Sequence, residues 1–331
     1  MSMEMVIKCP SCGGAAQKTH EKLTGYVEGA TFDLYECSDC EASFSDPLTA
    51  DHKVYDDIYL SPEKIPGYER YVRYAKLVTY VPSPLTFLAN AENVYWSVRE
   101  ALIQKFGQRK DISILEIGSG LGYLTYSLHK AGYKVTGVDI SEEAVEKAVA
   151  RYGPYYKSAD VMKLAEVSNE RFDCIIMTEL LEHVENPTQF VRAALSMMRE
   201  GGCVIITTPN KSCSPQGQVW GSDTPPVHLW WFAEKSLESI ARQCERRCSF
   251  VDFTAYTKKF YEPVWYPSIS ELEANLPKMS RSGKYIGKGS VDTFKDRHVP
   301  VLVRYALSYV RRRLKKKTVN SRSSTMCAVI S

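Results

Sequence analysis

Residues 112–130 combine, in order, an apolar strand pattern, three closely spaced glycines and a helix pattern. The apolar run ends at Ile117, and the glycines follow at positions 118, 120 and 122, directly before the helix pattern. A strand, a glycine turn and a helix in this order form a nucleotide-binding element, because glycine lets the backbone approach a ligand closely. Strand and helix patterns alternate from about residue 86 onward, which predicts an α/β fold with a mainly parallel sheet.

A second strand pattern, Lys134–Asp139, ends in an acid about 20 residues after the first glycine, the spacing at which a carboxylate holds a ribose hydroxyl. Dinucleotide-binding enzymes share this spacing, but their third glycine lies one position later than Gly122. Glu116 lies shortly before the first glycine, where its negative charge would oppose a pyrophosphate. A full helix pattern over residues 87–106 also precedes the motif. These details oppose a dinucleotide enzyme.

Together these motifs resemble those of the class I S-adenosylmethionine-dependent methyltransferases, whose hallmark, an acid followed by G-x-G-x-G, is matched by residues 116–122. The segments FDCIIMTELLEHVENP and GGCVIITTPN resemble strands four and five of that family. The resemblance covers residues 86–257, and it implies a seven-stranded Rossmann-like methyltransferase sheet with S-adenosylmethionine as cofactor. The cofactor-binding residues that it implies are Glu116, Gly118, Ser119, Gly120, Gly122, Asp139, Ile140, Asp160 and Glu179. Among them, Asp139 would bind the ribose and Asp160 would lie near the adenine amine.

The loop TELLEHVENP, residues 178–187, follows the fourth strand pattern, and Asn186-Pro187 predicts the start of the next helix. Ligands bind outside the carboxyl ends of the strands in an open α/β sheet, so this loop is expected at the site. His228 lies in an aromatic run after the fifth strand pattern and is either a packing residue or a further member of the site.

Three interpretations of this loop remain open. In the first, Glu179, Glu182 and His183 bind a divalent cation together with His228; the E-x-x-E-H motif resembles that of ubiquinone-pathway O-methyltransferases and small-RNA 3′-end methyltransferases. In the second, His183 is a general base that takes the proton of an acceptor hydroxyl. In the third, Glu179 lines the cofactor pocket and His183 hydrogen-bonds the backbone. The candidate catalytic residues are His183, His228 and Glu182.

Four cysteines in the first fifty residues form two C-x₂-C pairs, Cys9 with Cys12 and Cys37 with Cys40. Each pair can place two thiolates on a tight turn, and four thiolates complete a tetrahedral zinc shell that leaves no open position for catalysis. A redox role fits poorly, because a thioredoxin-like C-x-x-C occurs once and near a βαβ pattern. Residues 1–50 are therefore predicted to form a zinc ribbon around a structural zinc ion.

The segments before and after the core complete the predicted division of the chain into domains. Residues 51–85 are rich in tyrosine and proline and are predicted to be a connector. Strand six is predicted at residues 250–256, and strand seven at residues 325–330. The predicted divisions are 1–50 zinc ribbon, 51–85 connector, 86–257 cofactor-binding core, 258–324 C-terminal insertion or lid between strands six and seven, and 325–331 last strand.

Within this insertion, an apolar stripe lies beside a basic run at residues 311–317. The stripe consists of Val303, Leu307, Val310 and Leu314. This pattern predicts a basic amphipathic helix, which is either a solvated face or a contact, through residues 303–317, to an anionic membrane surface or an anionic substrate.

The expected location follows from apolar content and cysteine usage. No apolar run is long enough to cross a bilayer, and the first residues, MSMEMVIKCPSC, lack a secretory signal pattern. The ten cysteines then favour thiols or metal ligands in a reducing compartment. A cytoplasmic protein is expected, either free or associated with a membrane surface.

A zinc ribbon joined to such a methyltransferase resembles a group common in bacterial glycan and secondary-metabolite clusters, whose members methylate sugars or related small molecules. The resemblance implies O-methylation of a sugar hydroxyl on a glycan or on a nucleotide-linked or lipid-linked sugar. The first alternative is a metal-dependent O-methyltransferase of a phenolic or quinone-precursor molecule. A nucleic-acid-binding zinc-ribbon protein is the alternative of another class, but the ribbon has no concentrated Lys/Arg stripe, so nucleic acid is not the expected partner.

Overall fold

The computed structural model describes residues 6–51, 53–54, 58, 65, 68–214, 224–262, 271, 273–287 and 301–331. Two β-sheets organise these residues, and the first is antiparallel with the order β1-β2-β3-β4-β10. Its strands are β1 Ile7–Lys8, β2 Ala15–Thr24, β3 Thr31–Cys37, β4 Ser43–Asp46 and β10 Trp230–Trp231. Because Trp230 pairs with Phe44 and Trp231 pairs with Ser43, the cysteine-bearing segment takes its last strand from far along the chain.

The second sheet has seven strands in the order β11-β12-β9-β8-β5-β6-β7. Its strands are β5 Ser113–Ile117, β6 Lys134–Asp139, β7 Tyr156–Ser158, β8 Phe172–Thr178, β9 Met198–Pro209, β11 Cys248–Phe250 and β12 Thr325–Ile330. Strands β5 to β9 are parallel, and β12 runs antiparallel between β9 and β11. This order confirms the predicted Rossmann-like methyltransferase sheet, with the insertion between its sixth and seventh strands.

Helices cover both faces of this sheet and extend before and after it. They are α1 Glu69–Leu77, α2 Pro84–Ala91, α3 Asn93–Phe106, α4 Tyr123–Lys130, α5 Glu142–Tyr152, α6 Val161–Val167, α7 Pro187–Ser196, α8 Glu234–Gln243, α9 Thr254–Lys259 and α10 Val301–Leu314. The Asn186 side chain accepts a hydrogen bond from the Gln189 N–H at 3.0 Å, with Pro187 in the first turn. This cap confirms the predicted start of α7.

Strand six differs from its prediction. Residues 250–256 alternate in polarity, but β11 ends at Phe250 and α9 begins at Thr254. The Asp252 carboxylate accepts a hydrogen bond from the Thr254 N–H at 2.7 Å, a local turn that leads into the helix. The buried aromatic side chains of this stretch are Phe253, Tyr256 and Phe260. Their spacings of three and four residues follow the helix period, and the strand prediction was wrong because the first part of the stretch also fits a period of two.

The helix predicted over residues 87–106 is two helices, α2 and α3, separated by Glu92. Glu92 has extended backbone, with φ −142° and ψ 153°. Its carboxylate accepts a hydrogen bond from the Tyr74 hydroxyl at 2.9 Å and lies 2.9 Å from the Arg70 Nε. The break therefore holds an acid against α1, and this contact could not be anticipated from the local helix pattern.

Buried apolar side chains line both faces of the seven-stranded sheet, as expected for a parallel sheet between two layers. Helices α2 to α5 pack on one face. On the other face, α7 and α8 pack together with the first sheet, and the rings of Phe44 and Trp230 lie 5.4 Å apart. The two sheets therefore share one apolar core. Within the described ranges, no helix combines the length and the apolar content that crossing a membrane requires.

Candidate active site

The glycine turn between β5 and α4 has a backbone that requires glycine. Gly118, Gly120 and Gly122 have φ values of +74°, +47° and +79°. A Cβ at Gly122 would lie 2.7 Å from the Ala148 Cβ, so this glycine serves close packing of α4. Gly122 is not among the residues that line the cavity described below, and its role in cofactor binding stays a prediction.

Asp139, the last residue of β6, is fixed by two backbone groups. Its Oδ2 accepts a hydrogen bond from the Gly120 N–H at 2.7 Å, and its Oδ1 accepts one from the Ser141 N–H at 3.0 Å. The glycine turn and the start of α5 therefore hold the carboxylate at the carboxyl edge of the sheet. Carboxylate oxygens held in this way can accept hydrogen bonds from the two hydroxyls of a ribose.

Glu116 is buried beneath the glycine turn, with 2% of its surface exposed. The Thr125 hydroxyl donates a hydrogen bond to its carboxylate. Burial raises the pKa of Glu116 to about 8, the charge of Asp139 adds to this effect, and the Thr125 hydrogen bond opposes it. The carboxyl group is therefore mostly protonated at neutral pH, and a cationic ligand would favour its ionised form.

This pKa predicts how Glu116→Gln changes stability with pH. The folded carboxyl keeps its proton up to about pH 8, whereas the unfolded carboxyl loses it near its ordinary value of 4.5. The contribution of Glu116 to wild-type stability therefore falls as the pH rises through this window. We expect the free energy of unfolding of Glu116→Gln, relative to wild type, to rise by at least about 1 kcal/mol between the two ends of the window. Thermal melts of both proteins at the two ends of the window measure this difference.

The matched control for this prediction is Glu146→Gln on the exposed face of α5. Its stability relative to wild type should stay constant over the same pH range. A Glu116→Gln difference that is equally constant would show that the carboxyl group is not buried as described.

The loop after β8 begins with a strained residue. Glu179 has a φ of +49°, a left-handed conformation that non-glycine residues adopt at a cost of about 1 kcal/mol or more. Its N–H donates to the Thr207 carbonyl at 2.9 Å, which ties the loop to β9. Glu179 lines the cavity, and such strain is frequent at functional sites.

Glu182, His183 and His228 form a compact polar cluster. Glu182 and His183 lie in the turn Leu181–His183, and the Leu229 N–H donates to the Glu182 carbonyl at 2.9 Å. One ligand atom from each of the three side chains lies within 4.8 Å of the others, and the two imidazole centroids are 4.7 Å apart. The structure thus brings together three of the four predicted ligands. Glu179 lies outside this group.

The orientation of the His183 ring is set by the backbone. Its Nδ1 lies 2.7 Å from the Val227 carbonyl oxygen, and only an N–H can bond to that oxygen. Nε2 is therefore the ring atom that can accept a proton or bind a cation, and it lies 4.0 Å from the Glu182 carboxylate. A backbone partner on the other ring nitrogen is typical of both catalytic and metal-binding histidines.

One cavity of about 580 Å³ connects these features, a volume within the usual range for ligand pockets. The predicted site residues that line it are Glu116, Gly118, Ser119, Gly120, Asp139, Ile140, Asp160, Glu179, Glu182, His183 and His228. The Leu180 side chain packs closely against the backbone at position 118. A Cβ there would lie 3.0 Å from Leu180, and glycine avoids this contact. Backbone donors, a ribose-binding acid and a buried acid for an amino group together fit an adenosyl amino acid such as S-adenosylmethionine.

A further wall of this cavity was not predicted. It includes Tyr68, Arg70, Tyr71, Tyr95 and Tyr123, which lie in or beside α1, α3 and α4. The hydroxyls of Tyr95 and Tyr123 are 2.5 Å apart, and burial raises the pKa values of both, so both stay neutral. The sequence feature that could have indicated this wall was the high tyrosine content before residue 86, from which only a connector was predicted.

The four N-terminal cysteines form a second cluster, at the end of β3 and in the turns that follow β1 and β3. The Sγ atoms of Cys9 and Cys40 are 3.8 Å apart, those of Cys12 and Cys37 are 3.5 Å apart, and all four lie within 4.8 Å of one another. Four sulfurs bound tetrahedrally at the usual zinc distance would be about 3.8 Å apart. The Cys40 thiol lowers the pKa of Cys9 to about 5 by a hydrogen bond. The cluster fits a structural zinc ion.

Comparisons with known proteins find similarity to methyltransferases. Residues 91–245 match the model of the family described as "Methyltransferase domain". A ubiquinone biosynthesis O-methyltransferase of Hydrogenovibrio crunogenus is 28% identical over 151 residues, which are 40% of this chain and 62% of that protein. The protein of the same name from Alkalilimnicola ehrlichii is 35% identical over 106 residues, or 30% of this chain and 42% of that protein. The chain thus spans about half the length of these curated relatives.

A solved structure of a SAM-dependent methyltransferase from Archaeoglobus fulgidus is 16% identical to this chain. The match covers 70% of this chain and 91% of that one, with a TM-score of 0.41. The family match falls on the segment that carries the glycine turn, Asp139 and the loop after β8. The strand order of the second sheet also agrees with the fold that this family implies. Residues 91–245 are therefore similar to a methyltransferase domain, and the second sheet has the seven-stranded α/β methyltransferase fold.

Proposed function

We propose that this protein transfers a methyl group from S-adenosylmethionine to a hydroxyl oxygen of a small-molecule or glycan acceptor, with a sugar hydroxyl as the first candidate. The observation that carries the choice of oxygen is the geometry of His183, whose Nδ1 hydrogen bond to Val227 makes Nε2 a proton acceptor on the cavity wall. A hydroxyl must lose its proton as its oxygen takes the methyl group, and an imidazole can receive that proton.

The sulfonium of the cofactor supplies an already activated methyl group, so the protein contributes mainly alignment. Asp139 would accept hydrogen bonds from the ribose, and Glu116 beneath the glycine turn would favour the cationic amino acid part. His183 would hold the acceptor hydroxyl by a hydrogen bond to Nε2 and then take its proton. The neighbouring Glu182 carboxylate, 4.0 Å from Nε2, would stabilise the imidazolium that results.

Product analysis with a mixture of natural acceptors tests this proposal. Purified protein is incubated with S-adenosylmethionine labelled at the methyl carbon and with a metabolite extract of the cells that express it. The NMR chemical shift of the transferred methyl then distinguishes O-, N- and C-methyl products. We expect an O-methyl product, and His183→Ala should lower its rate by about 100-fold while leaving cofactor binding intact.

The matched control variant is Glu185→Gln, in the same loop but bonded to the Ala50 N–H at 2.9 Å. It should methylate at the wild-type rate. A labelled N-methyl or C-methyl product would contradict hydroxyl methylation, and a fully active His183→Ala would remove His183 from the chemistry.

The compact cluster of Glu182, His183 and His228 favours a second candidate, a metal-dependent O-methyltransferase of a phenolic or quinone-precursor acceptor. One carboxylate and two imidazoles form a ligand set that suits Mn²⁺ or Zn²⁺, and a bound cation could hold two neighbouring acceptor oxygens. The names of the relatives that the chain matches also support an acceptor of this type.

Elemental analysis separates the two candidates. Wild type and Glu182→Ala/His183→Ala are compared, with the cysteine cluster intact in both. The first candidate expects about one zinc ion per chain in each protein, held by four cysteines. A second equivalent of metal that the double variant loses would establish the metal-dependent candidate in its place.

A further inference from the structure

Helix α10 carries an apolar stripe that faces away from the protein. The stripe consists of Val303, Leu307, Val310 and Leu314, and these side chains are between 45% and 80% exposed. Positions spaced by four, three and four residues share one face of a helix. In a helix that packs on a globular domain, the apolar stripe normally faces the core. On α10 the apolar stripe faces solvent instead.

The opposite face of α10 holds the helix on the protein. The Tyr309 ring lies 5.7 Å from the Phe260 ring, and the Arg312 guanidinium lies 4.8 Å from that same ring. Arg312 also donates to the Asn90 carbonyl at 3.2 Å, and the Tyr261 N–H donates to the Arg312 carbonyl at 2.9 Å. Successive residues turn by about 100° around a helix, so Tyr309 and Arg312 point away from the stripe.

Basic residues border the stripe on both sides. The same rotation of about 100° per residue places Arg311 on one side of the stripe and Arg313 on the other, and both are exposed. Residues 315–317 continue with three lysines, and residues 304–331 contain no Asp or Glu. Lys259 on α9 belongs to the same positive region: burial lowers the pKa of Lys259, and the charge of Arg313 lowers it further.

We propose that α10 and residues 315–317 dock this protein on a bilayer surface that contains anionic lipid. The exposed apolar stripe enters the boundary between headgroups and acyl chains, while the arginines beside it and the following lysines lie at the level of the lipid phosphates. This is the arrangement of an interfacial helix, with an apolar face on one side and cations where phosphates lie. Because the side chains that border the stripe carry only positive charge, they favour an anionic surface over a neutral one.

The attachment of α10 also links the docking helix to the cavity. Arg312 holds the carbonyl groups of Asn90 and Ala91, and the next residue, Glu92, pairs with Arg70 on the cavity wall. Ser324, ten residues after the helix, lines the cavity as well. The docking proposal does not depend on which acceptor the cavity takes.

Vesicle sedimentation of the full chain tests this proposal. The vesicles contain either phosphatidylcholine alone or phosphatidylcholine with phosphatidylglycerol. We expect binding to the anionic vesicles at least about tenfold tighter than to the neutral ones, and weaker with added salt. Leu307→Gln/Leu314→Gln should lower binding by about tenfold for each side chain. Arg311→Gln/Arg313→Gln should lower it by about fivefold for each residue.

Two control variants change equally exposed residues elsewhere. Val167→Gln at the end of α6 matches the apolar change, and Lys130→Gln/Lys134→Gln matches the charge change. Both should bind the anionic vesicles as wild type does, and all variants should keep the wild-type melting temperature. The proposal is overturned if wild type does not sediment with anionic vesicles, or if the stripe variants sediment as wild type does. It is also overturned if they change only self-association in light scattering, which would make the stripe a contact between copies of this chain.

Discussion

Cys37→Ser is expected to remove about one zinc ion per chain and to destabilise the whole protein. The four sulfurs of the cluster lie within 4.8 Å of one another and can share one ion, so three remaining thiolates would leave that ion with an incomplete shell. Loss of a structural metal belongs to the most damaging class of single changes, and we expect a loss of at least about 4 kcal/mol. For a chain of this size that corresponds to a melting temperature lower by roughly 10 °C.

The damage should extend beyond the ribbon because the two sheets share a core. Strand β10 pairs with β4, and the Trp230 ring stacks on Phe232 and makes a tilted contact with Phe44. Melting followed by tryptophan fluorescence should therefore show the same lowered transition as melting followed by circular dichroism. Cys213→Ser, at a half-buried cysteine outside the cluster, is the control and should keep both the zinc and the melting temperature. Zinc retained at wild-type level in Cys37→Ser would contradict the proposed site.

Asp139→Ala is expected to weaken the binding of S-adenosylmethionine by about 100-fold. The carboxylate would lose its charged hydrogen bonds to the ribose, each of which contributes about 1.5 kcal/mol or more. The Gly120 N–H, which now donates to Asp139 at 2.7 Å, would also lose the group that positions the glycine turn. Isothermal titration calorimetry measures the affinity directly.

The matched control is Asp173→Ala at the opposite end of the sheet. The Asp173 carboxylate accepts a hydrogen bond from the Ser113 N–H at 2.7 Å, so it also joins two strands, but it does not line the cavity. Its loss should lower stability and leave cofactor affinity unchanged. Equal cofactor affinity in Asp139→Ala and wild type would show that the carboxylate does not hold the ribose.

Local patterns predicted those parts of the fold that depend on local forces. The glycine turn, β6, α4 and β12 lie at their predicted positions because strand period, helix period and glycine conformation act over a few residues. The grouping of Glu182 and His183 with His228 followed from a general rule about the carboxyl ends of parallel strands.

Contacts between distant segments were not predictable in the same way. Nothing in the dipeptide at 230–231 indicates that it completes the sheet of residues 7–46. The Glu92 break depends on Arg70 and Tyr74, which lie in a different helix. The strand predicted at 250–256 failed because its alternation also fits the first turn of a helix, and tertiary burial of the aromatic residues decided between the two.

The cavity at the carboxyl edge of the seven-stranded sheet is expected to hold S-adenosylmethionine. Calorimetric titration of wild-type protein with S-adenosylhomocysteine, the product form of the cofactor, tests it most directly, with NADH titrated in parallel. We predict one S-adenosylhomocysteine bound per chain and no binding of NADH. Binding of NADH without binding of S-adenosylhomocysteine would contradict the assignment of Glu116 and the glycine turn to a cationic, phosphate-free cofactor.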